Sequence, residues 1–164
     1  GIGNVLMGDD GLGPYAIEIL KRSFEFPDNV ELEDGGTPGL DFMPFLTDAR
    51  MVIESNTVSS KGEQGTIKVY RDREIIGSAP PSRLTPHQPG LREALMATEL
   101  TDTSPDESGL RGVVPLTTDQ GTILSEPVRA AVEPLVDAVV TELERLGAAP
   151  TLRIPPREPE IWWI

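Results

Sequence analysis

Apolar residues recur every three or four positions in several stretches of the chain, which is the spacing of one face of a helix. The clearest of these stretches is bounded by Ser125, a good N-cap residue, and by Gly147, which suits a helix end. Because Pro134 lies inside this stretch, we expect the helix to kink or to restart there. The stretches are residues 15–24, 40–46, 91–95 and 128–143.

Short apolar runs between these stretches predict strands. Residues 51–53 form a continuous apolar run, as in a buried parallel strand, whereas 30–32 and 67–69 alternate with polar residues. Residues 110–114 form one more short run. Strands that alternate with helices predict an α/β fold, in which a parallel or mostly parallel sheet carries helices on both faces.

The length and composition restrict the function. A chain of 164 residues suits one domain, which we expect at 1–147, followed by a proline-rich tail at 148–164. The net charge of −13 disfavours nucleic acid as a partner. No apolar run is long enough to span a membrane, and no signal peptide is visible. The chain has no cysteine, so a thiol nucleophile and a thiolate metal site are excluded, and we expect a cytoplasmic protein.

The chain opens with GIGNVLMGDDGLGP, a glycine-rich turn that carries the adjacent acids Asp9 and Asp10 ahead of the first helix. A dinucleotide-binding loop is disfavoured, because Leu6 stands where a third glycine is needed and two carboxylates would repel a phosphate. Carboxylates here could instead cap the helix N-terminus. Alternatively, one of them faces a cleft at the carboxyl ends of the strands, where it could be a metal ligand or a general acid or base.

The only histidine, His87, lies in the segment LTPHQPGL, between two prolines that would fix the direction of its imidazole. A lone histidine is commonly structural, but this loop precedes a helix and could reach the same sheet edge as the acids. An imidazole together with carboxylates suits a divalent ion such as nickel or zinc. A third ligand would come from the end of the strand that begins at residue 51, where the sequence has no aspartate.

Five blocks, in this order, resemble the [NiFe]-hydrogenase maturation endopeptidases: GIGNVLMGDDGLGP, DGGTPGL, SSKGEQGT, TPHQPGL and GVVP. The resemblance extends from Gly1 to about Gly147. It implies a three-layer α/β/α sandwich around a mostly parallel sheet of about five strands, the first of which we expect to lie outside the given chain. It also implies a hydrolase that removes the C-terminal extension of a hydrogenase large-subunit precursor once nickel has been inserted.

The resemblance assigns nickel contacts and catalysis to Asp10 and His87, with Asp9 as a supporting acid. Gly35 and Gly36, in the block DGGTPGL, would also support the site. The nickel would come from the substrate, so the protein would need no cofactor of its own. A divalent ion such as zinc or cadmium could occupy the site in the isolated protein. The precursor would be the partner of a monomeric enzyme.

The chain departs from the family at the middle acidic position. Depending on how the loop is spaced, that position falls on Asn56 or on Ser55, neither of which carries a charge. Asn56 could still contribute a carbonyl oxygen. Glu54 is a weaker candidate, because strand alternation should point residues 54 and 55 to opposite faces.

The uncharged middle position leaves other interpretations open. One is a non-cleaving binding module that recognises the loaded precursor, or another metalloprotein, through the same fold. A second is a related protease that acts on other cytoplasmic substrates.

Overall fold

The computed structural model describes residues 1–37, 42–78 and 90–164, and it confirms the predicted α/β fold class. A short 3-10 helix at Gly8–Gly11 precedes the first α-helix. The helices are α1 Leu12–Ser23, α2 Met43–Leu46, α3 Arg73–Gly77, α4 Leu91–Thr101, α5 Glu126–Ala130 and α6 Val132–Arg145. The strands are β1 Phe24–Glu25, β2 Met51–Thr57, β3 Ile67–Arg71, β4 Glu107–Val113 and β5 Thr151–Leu152.

The central sheet has the order β2-β4-β3. Strands β2 and β4 are parallel over their full length, from Met51 opposite Glu107 to Thr57 opposite Val113, and β3 runs antiparallel to β4. Strands β1 and β5 form a separate two-stranded antiparallel sheet. A single sheet of about five strands is therefore not confirmed: the strands of the described residues divide into three and two.

Residues 30–32 were predicted to be a strand, and this prediction was wrong. Instead, the neighbouring residues pair with the first residues of the chain: Gly3 N–H donates to Gly36 O at 2.7 Å and Gly35 N–H donates to Gly1 O at 2.9 Å. On its other side the opening segment meets β2, because Ile2 N–H donates to Ser55 O at 3.0 Å. The opening segment thus lies between β2 and residues 35–36.

Apolar side chains of the central sheet alternate between two core clusters, as expected for strands with a buried surface on each face. Ile53 and Val113 pack in the cluster under α1 and α6, whereas Val52 and Leu110 pack in the cluster under α2, α3 and α4. Helices therefore cover both faces of the sheet. Leu40 of the predicted 40–46 helix lies outside the described residues.

The long C-terminal helix does restart, but ahead of the proline. Helix α5 ends at Ala130 and α6 begins at Val132, so Pro134 falls in the first turn of α6, where its missing N–H leaves no hydrogen bond broken. Ser125 is the N-cap of α5, as predicted, and Gly147 adopts a φ of 73° just beyond the end of α6.

A buried ion cluster joins α6 to the central sheet. Glu142 is 4% exposed and accepts hydrogen bonds from Arg71 and Arg145, and it forms a 2.9 Å ion pair with Arg111, which is 2% exposed. Arg145 also pairs with Glu107. Two carboxylates thus form ion pairs with three guanidinium groups. The hydrogen bonds from Arg71, together with Arg145 and Arg111, lower the pKa of Glu142 to about 2.

The tail is held on the surface through β5 and through Trp163, which is 8% exposed and packs edge-on against the exposed Trp162. No helix in the described ranges is long and apolar enough to cross a membrane.

The pKa of Glu142 makes a pH-dependent prediction. Its folded-state value of about 2 lies below the ordinary value of 4.5 for a glutamate, so the carboxylate stabilises the fold above about pH 4.5 and the contribution disappears as the pH falls toward 2. Glu142→Gln should lower the free energy of unfolding at neutral pH by about 3 kcal/mol, because the buried Arg111 and the more exposed Arg71 and Arg145 lose their shared charged partner. It should also flatten the pH dependence between those limits.

Urea unfolding at a series of pH values measures both effects. Glu144→Gln is the matched control, because Glu144 is an exposed carboxylate on the same helix. Equal pH profiles for the wild type and Glu142→Gln would show that the cluster does not contribute as described.

Candidate active site

The two adjacent acids lie in the 3-10 helix Gly8–Gly11, one residue before α1 begins at Leu12. The prediction that a carboxylate caps this N-terminus was wrong, since neither helix start has a side-chain cap in the described structure. Both carboxylates instead bind other segments of the chain. Both are also buried: Asp9 is 0% exposed and Asp10 is 3% exposed.

Asp9 binds the segment that follows β4. Its carboxylate accepts hydrogen bonds from Leu116 N–H at 2.8 Å, Thr117 N–H at 3.0 Å, Ser125 N–H at 2.6 Å and Ser125 Oγ at 2.9 Å. The backbone nearby is paired as well, because Asp9 N–H donates to Thr117 O and Gly8 N–H donates to Gly121 O. Three of these donors bind Oδ2 and one binds Oδ1, so the Asp9 carboxylate accepts four hydrogen bonds in all.

Asp10 points toward the end of β2 instead. Its Oδ2 accepts a hydrogen bond from Asn4 N–H at 2.7 Å, and its Oδ1 accepts one from Thr57 Oγ1 at 3.2 Å. Burial raises the pKa of the Asp10 carboxyl, and these two hydrogen bonds lower it in part. Within the described residues each Asp10 oxygen accepts one hydrogen bond, so Asp10 has more capacity than Asp9 to accept a metal ion or a proton.

Two glycines explain how these elements come so close together. Gly3 has a φ of 146°, and a Cβ atom there would lie 1.8 Å from the carbonyl oxygen of Asp10. A Cβ atom on Gly13, in the first turn of α1, would lie 2.2 Å from Ile2 O and 2.6 Å from Ser55 O. The glycines of the opening motif therefore serve close backbone packing and not phosphate binding.

The end of β2 presents alternate residues to its two faces. Thr57 contacts Asp10, and Ser55, two residues earlier on the same extended strand, shares the face of Thr57. Glu54 and Asn56 lie on the other face, where Asn56 Nδ2 donates to Glu54 Oε1 at 3.0 Å. Asn56 Oδ1, the oxygen predicted to ligate a metal, accepts Thr57 N–H at 2.7 Å.

Glu54 is fully enclosed. It is 2% exposed, and burial raises the pKa of its carboxyl above its usual value, against the hydrogen bond from Asn56. Its Oε2 has no hydrogen-bond partner among the described residues. Glu54 is thus enclosed on the face of β2 opposite the one that contacts Asp10.

His87 lies outside the described residues, as do the prolines on either side of it, so its contact with Asp10 stays a prediction. The described ranges contain no group of three His, Asp or Glu residues that could hold a metal ion. Gly35 and Gly36 lie beside the opening segment and position its backbone.

Sequence reasoning missed Thr57 and Ser125 as partners of the two acids. Thr57 could have been found, because polar residues at the carboxyl end of a parallel strand face the usual ligand cleft.

A family model described as "Hydrogenase maturation protease" matches residues 14–142. The chain belongs to the hydrogenase maturation protease family. Membership makes it a peptidase by family, and it confirms the resemblance drawn from the five sequence blocks.

Relatives and solved structures agree with this assignment. The hydrogenase 2 maturation protease of Escherichia coli is 32% identical over 148 residues, which are 90% of each chain. The hydrogenase expression/formation protein HupM of Azotobacter chroococcum is 36% identical and is matched over 74% of its length and 93% of this chain. The solved structure of the hydrogenase maturating endopeptidase HybD from E. coli superposes with a TM-score of 0.86 at 30% identity, covering 94% of this chain and 96% of that one.

The two acids of this protease should respond differently to the same substitution. In Asp9→Asn one carboxylate oxygen is replaced by an NH₂ group, which faces N–H and O–H donors and cannot accept from them. The remaining amide oxygen is then the only acceptor of the side chain, so we expect a loss of about 2–4 kcal/mol in the free energy of unfolding. Asp10→Asn can keep its bond to Asn4 N–H and reverse its bond with the Thr57 hydroxyl, so its loss should stay below about 1 kcal/mol.

Chemical denaturation of the two variants and the wild type tests this pair, with each variant serving as the control for the other. Equal losses, or a larger loss for Asp10→Asn, would contradict the separation of roles.

Proposed function

We propose that this protein is an endopeptidase that removes the C-terminal extension of a [NiFe]-hydrogenase large-subunit precursor after nickel insertion. Its family membership supports the reaction class and the hydrogenase substrate. The observation that carries the residue assignment is the contrast between the two acids: the Asp9 carboxylate accepts four hydrogen bonds, and the Asp10 carboxylate accepts two from the described residues.

In this proposal the nickel belongs to the substrate. The Asp10 carboxylate and the His87 imidazole contact it, so that only a loaded precursor is held in the orientation for cleavage. Asn4 N–H and Thr57 Oγ1 fix the direction of the Asp10 carboxylate from both of its oxygens. Fixing a ligand in this way reduces the ordering that substrate binding would otherwise require.

The hydrolysis step needs a group that activates water or polarises the scissile carbonyl, and Asp10 is the first candidate for that role. The raised pKa of its carboxyl brings it nearer to the range in which a carboxyl group exchanges protons at neutral pH. The chain has no cysteine to act as a thiol nucleophile, and water is the nucleophile in this proposal. We further propose that the enzyme acts as a cytoplasmic monomer.

Cleavage of a purified precursor tests the proposal. The wild type should shorten a nickel-loaded precursor and leave a nickel-free precursor intact, as measured by intact mass. Asp10→Asn should lower the cleavage rate by about 100-fold or more while keeping the fold. Asp28→Asn, which changes an exposed acid away from the site, should cleave like the wild type. Cleavage of the nickel-free precursor at the same rate would refute the role of nickel.

A second candidate is a binding module that holds the loaded precursor without cutting it. The absence of charge at Ser55 and Asn56 favours this alternative. Ser55→Asp and Asn56→Asp separate the two candidates. If the wild type binds without cleaving and either variant cleaves, the binding module is correct; if the wild type already cleaves, it is excluded. Because Ser55 shares the face of Thr57, we expect Ser55→Asp to change the rate more than Asn56→Asp.

A further inference from the structure

A second concave site lies away from the two acids, between the C-terminal half of α1, the chain that follows it and the tail. It has a volume of about 400 Å³, within the range of small-molecule pockets. Its lining residues are Glu18, Lys21, Arg22, Phe24, Phe26, Val30, Leu32, Arg153, Arg157, Glu158 and Glu160.

The apolar part of this pocket consists of four half-buried side chains that follow the end of α1, namely Phe24, Phe26, Val30 and Leu32. They form one continuous group, because Phe24 and Phe26 pack edge to face with ring centroids 6.3 Å apart and all four pack against the core cluster of α1 and α6. An apolar floor of this kind would accept an aliphatic chain or a ring.

Basic side chains line the same pocket, although the chain as a whole has a net charge of −13. Two of them are engaged: Lys21 pairs with Glu18 at 3.5 Å, and Arg153 donates to Glu25 at 2.6 Å and to Phe24 O at 2.8 Å. These contacts leave Arg22 and Arg157 as the cations available to a ligand.

The backbones of Arg22 and Arg157 lie next to each other, because the backbone N–H of Arg157 donates to the backbone carbonyl of Arg22 at 3.0 Å. Neither side chain has a hydrogen bond or an ion pair within the described residues, and the Nε of Arg22 is buried without a partner. A buried donor without a partner carries a desolvation cost that an anionic acceptor would remove. A guanidinium group matches the geometry of a carboxylate, and both arginines line the same pocket.

We propose that this pocket binds a small amphiphilic carboxylate, whose carboxylate pairs with Arg22 and Arg157 and whose apolar body lies on the four apolar side chains. A small molecule suits the site better than a protein segment, because the volume is that of a compact ligand. Of the three acids on the lining, Glu18 is paired with Lys21, and Glu158 and Glu160 oppose the binding of any anion in part. This site is independent of the proposed cleavage reaction.

Octanoate is a suitable probe, with octan-1-ol and acetate as partners that lack the charge or the apolar body. We expect saturable binding of octanoate by calorimetry and an increase in Tm, and much weaker binding of the other two. The double variant Arg22→Gln/Arg157→Gln should weaken octanoate binding about tenfold. Glu158→Gln, which removes a repelling charge from the lining, should strengthen it.

The matched control is Arg129→Gln, which changes an exposed arginine of α5 outside the pocket and should bind octanoate like the wild type. The proposal fails if octan-1-ol binds as tightly as octanoate, or if the double variant binds octanoate as tightly as the wild type. It also fails if only a peptide with a free C-terminal phenylalanine binds, since the ligand would then be a chain terminus. Far-ultraviolet circular dichroism checks that each variant is folded.

Discussion

The hydrogen bonds accepted by the Asp9 carboxylate are the constraint on which the site depends. They connect the opening loop to two points of the segment after β4, at residues 116–117 and at Ser125. The segments that they join are far apart in sequence, and their backbones pair as well, with Met7 opposite Gly121. Once Asp9 is fixed in this way, the next residue has little freedom, and the carboxylate of Asp10 is directed to the end of β2.

Two neighbouring residues with the same side chain thus have different physical states. Asp9 is surrounded by donors, which satisfy the hydrogen-bonding needs of a buried carboxylate. Asp10 is also buried but has only two donors, and burial raises its pKa. The proposed contact with the nickel of a substrate requires the second kind of carboxylate, which keeps capacity for a further ligand.

Much of the fold could be predicted from the sequence. The periods of the apolar residues predicted α1, α4 and the three strands of the central sheet. Pro134 predicted a restart of the last helix, which lies between α5 and α6, ahead of the proline. The failures have physical causes. Residues 30–32 alternate like a strand, but only a few backbone bonds near residue 36 pair this region with the opening segment. The position of Asp10 beside the end of β2 could be predicted, and its role stays a prediction. The partners of Asp9 could not be predicted, because Leu116 and Ser125 bind it over more than 100 residues of sequence separation. Local patterns carry no information about such contacts.

The position of the tail has a practical consequence for spectroscopy. The chain contains two tryptophans, and both lie at its C-terminal end, one enclosed and one open to water. Intrinsic fluorescence therefore reports on the attachment of the last few residues and not on the sheet or on the neighbourhood of the acids. A change in tryptophan emission on heating would report detachment of the C-terminal residues, even where the rest of the fold stays intact. Circular dichroism is the appropriate observable for the folded core.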